Sequence, residues 1–137
     1  MEASRVSAVL FAKDYNKIAG FYRDVFGARS SHSDADHVVL DFGGFDLVIH
    51  QIPRHIAVSV TVDSPPQRRE RGALRLNLPV QDIARSRLEA NRLGGVVDER
   101  PPTWAGTDTS LYLGHDPEGN VFGAMPANKS LEHRRES

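Results

Sequence analysis

The chain has 137 residues, of which 39% are hydrophobic, with 17 basic and 18 acidic side chains and a formal net charge of −1. This balance excludes a disordered chain and argues against a protein that binds nucleic acid by neutralising phosphates. Cysteine is absent, which excludes disulfides, thiolate metal sites and a cysteine nucleophile. No stretch is apolar enough to span a membrane and residues 1–5 do not resemble a signal peptide, so we expect a cytoplasmic protein with neither nucleic-acid nor membrane partners.

The first half of the chain predicts a strand, a helix and three more strands. The apolar run at 5–12 is typical of a strand, and Asp14 is suited to cap a helix that ends near Phe26 and Gly27. The helix has apolar residues at spacings of three and four, which predicts one buried face. The three further strands are expected at 28–33, 37–42 and 45–51, the last two joined by a turn at Gly43-Gly44.

Residues 52–72 are interpreted as a linker, in which 54–60 fits either a short helix or a strand. Its basic run, Arg68-Arg69-Glu70-Arg71, is interpreted as solvated, with a phosphate-binding patch as the alternative.

The second half repeats this order of elements. Residues 73–80 alternate, which predicts a strand that buries Leu74, Leu76, Leu78 and Val80 on one face. Asp82 caps a predicted helix ending at Leu93. Strands follow at 96–98, 109–114 and 120–125, and 127–137 is a polar tail.

The two halves align with an offset of 68 residues, which places Asp14 on Asp82 and Gly27 on Gly95. This repeat predicts an α+β fold of two βαβββ modules, one at about 5–51 and one at about 73–126, in a single domain covering 1–137. The alternative is an ordinary α+β domain in which the spacing is coincidental.

The cap, helix and turn motifs of both halves resemble those of the vicinal-oxygen-chelate superfamily. This superfamily contains glyoxalases, bleomycin- and fosfomycin-resistance proteins and extradiol dioxygenases. The segments that carry the resemblance are Ala12-Lys-Asp14, Phe21-Tyr-Arg-Asp-Val-Phe-Gly27, Pro79-Val-Gln-Asp82, Arg92-Leu-Gly-Gly-Val96 and Asp116-Pro-Glu-Gly-Asn-Val-Phe122. The resemblance implies a curved mixed sheet around a ligand cup, with the helices outside.

The resemblance also implies four positions for a divalent metal, on the first and fourth strands of each module. In this chain those positions hold Ser7, Val48, Arg75 and Gly123. None offers an imidazole or a carboxylate, and the guanidinium would repel a cation, so we expect no metal there and no cofactor. A two-residue slip in this alignment would instead place His50 in the fourth-strand position.

Strand alternation predicts which side chains point into the cup. The candidate ligand-binding residues are Ser7, Phe11, Asp46, Val48, Arg75, Asn77, Trp104 and Gly123. His50 is the candidate catalytic acid or base, with a structural role as the alternative.

Arg75 is interpreted either as an anchor for an anionic ligand or as a structural residue. The structural alternative is half of an internal ion pair with Asp41 or Asp46, or a position on an exposed face of the sheet. Trp104, the only tryptophan, is expected either to stack on a flat ligand or to fill the core or an interface. His32 and His37 are expected to be solvated, and His55 and His115 are assigned no role.

Three functions remain open at this stage. The first is a binder of a small organic molecule, anionic or aromatic, without the usual metal. The second is a lyase, isomerase or dioxygenase of the same superfamily, dependent either on a metal or on His50, and the third is a protein-interaction module. A homodimer is expected in each case.

Overall fold

The computed structural model describes residues 4–106 and 110–126, so the predicted tail at 127–137 lies outside the described residues. The elements of the first half are β1 (Val6–Ala12), α1 (Tyr15–Phe26), β2 (Arg29–Ser33), β3 (His37–Asp41) and β4 (Phe45–Gln51). The linker contains a short helix, α2 (Arg54–Ala57). The second half contains β5 (Leu76–Val80), α3 (Ile83–Arg92), β6 (Val96–Val97), a 3₁₀ turn (Thr103–Ala105), β7 (Tyr112–His115) and β8 (Val121–Pro126).

The predicted repeat is confirmed by the sheets. The strand order is β1-β4-β3-β2 in the first sheet and β5-β8-β7-β6 in the second, and in each the outer strand β1 or β5 pairs in parallel. The register repeats as well, because Val9 lies opposite Val48 and Asn77, 68 residues later, lies opposite Gly123. Within the described ranges no strand pair joins the two sheets, so the strands form two four-stranded sheets rather than one continuous sheet.

The helix ends follow the expected local signals. The side chains of Asp14 and Asp82 each accept a hydrogen bond, at 3.2 Å, from the backbone N–H three residues later, which satisfies a free donor of the first turn. Gly27 ends α1 with φ of 71°, and after α3 the positive φ of 91° falls on Gly94. Gly95, the residue aligned with Gly27, instead lies against the Phe21 ring, where a Cβ would not fit.

One hydrophobic core joins both modules, and α1 lies at its centre. Phe21 and Phe122 are fully buried, and the centroids of their rings are 5.9 Å apart. The Phe26 ring meets Phe122 edge-on, with 5.0 Å between centroids. The first helix therefore packs on a strand of the second sheet as well as on its own, and neither module has a separate core.

Two buried carboxylates in the β7–β8 turn bind the second module to α1. The Tyr22 hydroxyl donates to Asp116 Oδ2 at 2.9 Å, and the backbone N–H groups of Lys13 and Asp14 donate to the two oxygens of Glu118 at 2.8 and 2.9 Å. Burial raises the pKa of Asp116, while Tyr22 and Asn120 donate to it and favour the ionised form. The turn thus supplies acceptors to the beginning and the middle of α1.

The basic run of the linker is not solvated throughout, which corrects the sequence interpretation. Arg68 donates to both oxygens of Asp98 at 2.8 and 3.0 Å, and its Nε donates to His115 Nδ1 at 3.0 Å. Only 21% of its side chain is exposed. His115 is therefore the buried end of β7 and accepts a hydrogen bond. Burial, with the adjacent Arg68, lowers its pKa.

No helix within the described residues is both long and apolar enough to cross a membrane.

We expect Glu118→Ala to lower the free energy of unfolding by about 2–3 kcal/mol, because it leaves the backbone N–H groups of Lys13 and Asp14, just before α1, without their charged acceptor. Denaturant unfolding measures this. The control is Glu89→Ala, which removes an exposed pair with Arg92 and should change stability by less than about 0.5 kcal/mol. Equal losses in the two variants would contradict the role given to Glu118.

The lowered pKa of His115 predicts a pH dependence of stability. As pH falls below about 6.5 the unfolded chain takes up this proton before the folded chain does, so the folded state loses stability. His115→Gln keeps an acceptor for Arg68 but cannot be protonated. Its unfolding free energy should therefore fall less than that of the wild type between about pH 7 and about pH 5. Parallel losses in both proteins would show that His115 does not contribute.

Candidate functional site

Four of the predicted ligand-binding residues come together in the second module. Arg75 immediately precedes β5, and its Nε donates to Asn77 Oδ1 at 3.0 Å. Its guanidinium carbon lies 5.7 Å from the centroid of the Trp104 ring, within the range of a cation–π contact. Gly123 lies opposite Asn77, and a Cβ at that position would overlap the Asn77 amide. A glycine in β8 thus makes room for the amide that orients Arg75.

The strand that carries these residues begins later than predicted. Leu74, expected in the core, is 74% exposed, because pairing with β8 begins at Leu76 and the residues before it still belong to the linker. The predicted inward alternation holds from Leu76 onward, with Leu78 and Val80 buried.

Arg75 does not form the internal ion pair that was the alternative interpretation. Asp41 and Asp46 pair instead with Arg5, at 2.6 and 3.2 Å. In the part of the chain that the structure describes, no carboxylate lies within ion-pair distance of Arg75. Arg75 is instead exposed, and among the described residues its guanidinium contacts the Asn77 amide and the Trp104 ring.

The predicted residues of the first module lie on another surface. Alternate residues of β1 and β4 form one face of the first sheet, away from α1, which we call the open face: Ser7, Val9, Phe11, Asp46, Val48 and His50. Ser7 lies opposite Asp46, and the rings of Phe11 and His50 are 5.6 Å apart. The predicted site residues are therefore divided between this face and the group around Arg75.

A cavity of about 880 Å³ lies between the two modules, a volume in the range of small-molecule sites. Its apolar wall draws on both modules: Leu10, Leu47, Leu76, Leu113 and Phe122. Its polar lining has four arginines against two carboxylates: Arg68, Arg69, Arg75, Arg100, Glu70 and Asp98. Trp104 also lines it. We therefore call it the intermodule cavity; its lining has an excess of positive charge.

Sequence reasoning missed most of this lining. Arg68, Arg69 and Glu70 belong to the basic run of the linker, whose alternative interpretation is a phosphate-binding patch. Asp98 and Arg100 follow β6 in a segment without a recognisable motif. The charged run of the linker was thus the signal in the sequence that pointed to this lining. Its position at the cavity depends on contacts between distant residues, which local sequence patterns do not predict.

The four expected metal positions do not fit a metal. The matching register of the two sheets supports the equivalence of Val48 and Gly123, and His50 lies opposite Phe11, further along β4. At Gly123 the space for a ligand side chain is filled by Asn77 and Leu111. Arg75 adds a permanent cation beside it. The four positions therefore offer a divalent ion no imidazole or carboxylate, and the place of one ligand is filled by neighbouring side chains.

The His50 ring forms one hydrogen bond and stacks on a second histidine. Its Nδ1 donates to the Gln51 carbonyl at 2.9 Å, which leaves Nε2 as the acceptor of the neutral ring. The ring stacks on His37, with 5.7 Å between centroids and 5° between planes. His37, expected to be solvated, is half-buried and contacts Asp34 and Asp36 at 2.9 and 3.0 Å. Hydrogen bonding to Asp36 raises its pKa.

Comparisons with known proteins agree with this architecture. A family model described as a glyoxalase-like domain matches residues 7–125. A search of curated proteins gave no match. Among solved structures, the chain is similar to the fosfomycin resistance protein FosX from Listeria monocytogenes, with a TM-score of 0.63 and 15% identity over 98% of this chain and 99% of that one.

A second similar structure is a glyoxalase/bleomycin resistance protein/dioxygenase family enzyme from Burkholderia phytofirmans PsJN. Its TM-score is 0.62 and its identity 18%, over 92% of this chain and all of the other. Identities this low support the fold alone. The family model covers most of the chain, and the two sheets share one strand order, as expected for paired βαβββ modules. The protein therefore belongs to the glyoxalase-like family of the vicinal-oxygen-chelate superfamily.

Proposed function

We propose that this protein binds a small organic anion with an apolar or aromatic body in the intermodule cavity, without the divalent metal usual in its superfamily. The observation that carries the proposal is the Arg75–Trp104 pair at a cavity with an apolar wall and excess positive charge. Such a lining favours a ligand that has one charged end and one apolar end.

Arg75 is the proposed anchor for the charged end. A guanidinium presents a planar fork of donors that matches a carboxylate, phosphate or phosphonate. Of its donors, Nε is used by Asn77, and this bond fixes the plane of the group. Arg68 is less available, because Asp98 and His115 already accept from it.

Trp104 is the proposed contact for the apolar end. Its ring is 65% exposed and already lies against a cation, so an aromatic ligand would cover both groups together. Gly106, with φ of 63°, follows the 3₁₀ turn that presents the ring.

The fold comparison supports this class of ligand. Another structure of the Listeria FosX, a mutant, is a complex with Mn(II) and 1S,2S-dihydroxypropylphosphonic acid, a small organic anion. In the present chain we assign the charge-neutralising role to Arg75, since the four positions expected to hold a metal lack ligands.

We propose binding rather than catalysis. His50, the candidate acid or base, lies on the open face and is not among the residues that line the intermodule cavity. A ligand anchored by Arg75 would therefore not lie beside His50, and a reaction at His50 would need a separate binding position on the open face.

We further propose that the protein is a cytoplasmic homodimer that pairs through the open face. Phe11 is 57% exposed there, and Val9, which also borders the intermodule cavity, is 51% exposed, so two apolar side chains of β1 face solvent. A two-fold interface is self-complementary, so one apolar patch would cover its own copy. A chain without cysteine needs no oxidising compartment.

We expect Arg75→Leu to weaken the binding of aromatic anions by about 10- to 150-fold, the effect of losing one charge-assisted contact. Suitable probes are phenylphosphonate and phenylacetate, followed by calorimetry and by the fluorescence of Trp104, the only tryptophan. The melting temperature should stay near that of the wild type, because Arg75 is exposed and stabilises no carboxylate.

Arg85→Leu, on α3 outside the cavity lining, is the matched control and should bind as the wild type does. Arg75→Lys keeps the charge but loses the fork and should fall between the two. Failure of the wild type to bind either probe, or equal losses in the Arg75 and Arg85 variants, would contradict the proposal.

For the homodimer, sedimentation should give about twice the chain mass of 15.1 kDa at micromolar concentration. Phe11→Lys should shift the protein to the monomer by placing a charge in the interface. Leu88→Lys changes an apolar residue on α3 that is more exposed than Phe11, and it should leave the dimer intact. A monomeric wild type, or dissociation by the Leu88 variant alone, would contradict pairing through the open face.

A further inference from the structure

The β2–β3 hairpin gathers two imidazoles and a carboxylate at one point. His32 is near the end of β2, His37 begins β3, and Asp34 lies in the turn between them. Asp34 Oδ2 is 3.5 Å from His32 Nε2, and Asp34 Oδ1 is 2.9 Å from His37 Nδ1. One potential ligand atom from each of the three residues lies within 4.8 Å of the other two.

These separations suit a small divalent ion. Four ligands held at about 2.0–2.1 Å around zinc lie about 3.3 Å from one another, so three atoms spaced like these fit on one coordination sphere after small side-chain rotations. Two imidazoles and one carboxylate form a donor set that suits zinc and its borderline neighbours, whereas calcium and magnesium prefer oxygen alone.

The carboxylate is also held in place. Asp34 Oδ1 accepts the backbone N–H groups of Asp36 and His37 at 3.1 and 3.2 Å, which fixes its orientation toward the rings.

The position of His32 is the observation that favours a metal site over an ordinary hairpin turn. The contacts of Asp34 with the backbone and with His37 are those of a stabilised hairpin, and they do not require a second histidine. The His32 ring nevertheless lies 5.3 Å from the His37 ring and turns Nε2 toward the same carboxylate. Both rings reach the carboxylate across the tip of the hairpin, which leaves the solvent side of the site open.

We propose that His32, Asp34 and His37 bind one divalent transition-metal ion of the zinc and nickel class. The site is on the β2–β3 hairpin, apart from the four positions at which the superfamily's metal is expected, and apart from the intermodule cavity. Three protein ligands leave at least one coordination position open to water or to an exogenous ligand atom.

Titration calorimetry of the untagged full-length protein with Zn²⁺ or Ni²⁺ tests the site, and we expect one ion per chain. His32→Ala should reduce the affinity at least ~10-fold without lowering the melting temperature, because that side chain is exposed. His37→Ala should cause a similar loss. The matched control is His55→Ala in α2, an exposed histidine with no place in the cluster, and it should bind as the wild type does.

Two results would overturn the proposal. One is the absence of stoichiometric binding by the wild type, or binding that His55→Ala weakens as much as His32→Ala does. The other is loss of the ion in His50→Ala but not in His32→Ala. That pattern would assign the ion to the neighbouring set of Asp36, His37 and His50 instead.

Discussion

The arrangement of the molecule depends on buried carboxylates that cross from one module to the other. Asp116 and Glu118 belong to a turn of the second module, yet Asp116 accepts a hydrogen bond from α1 of the first module and Glu118 accepts two from the backbone just before that helix. The peptide linker between the two βαβββ modules does not by itself fix their relative orientation. The aromatic contacts between Phe21, Phe26 and Phe122 supply attraction but little direction, whereas hydrogen bonds to a buried carboxylate restrict distance and angle together.

The cavity between the modules follows from that restriction. Its wall combines Leu10 and Leu47 of the first sheet with Leu76 and Phe122 of the second, so its shape depends on how the two units are held. The linker completes it: Arg69 N donates to the Gly119 carbonyl at 2.8 Å, and Arg68 is fixed by Asp98. A Cβ on Gly119 would overlap the Gln67 carbonyl, so the glycine of this turn allows the linker to lie close.

Local signals in the sequence predicted the modules well, and long-range contacts could not be predicted from them. Asp14 and Asp82 cap their helices as expected, since a cap depends on residues three positions away. The hydrogen bond between Lys13 and Glu118 joins residues 105 positions apart, and the spacing of apolar residues along the sequence does not predict such a contact. Leu74 was misplaced for a related reason, because alternation shows which residues can share a face but not where pairing with the neighbouring strand begins.

The repeated register has a consequence for how the two modules differ. At the first strand of each module, residues 68 positions apart hold equivalent places, so the Ser7 hydroxyl and the Arg75 guanidinium occupy equivalent positions, as do the side chains of Val9 and Asn77. The two modules therefore have similar backbones but different side chains at equivalent positions, as two related but non-identical subunits of a heterodimer would have. The cluster of His32, Asp34 and His37 lies on the first module and the Arg75–Trp104 pair on the second, so two similar backbones present different side-chain chemistry to solvent.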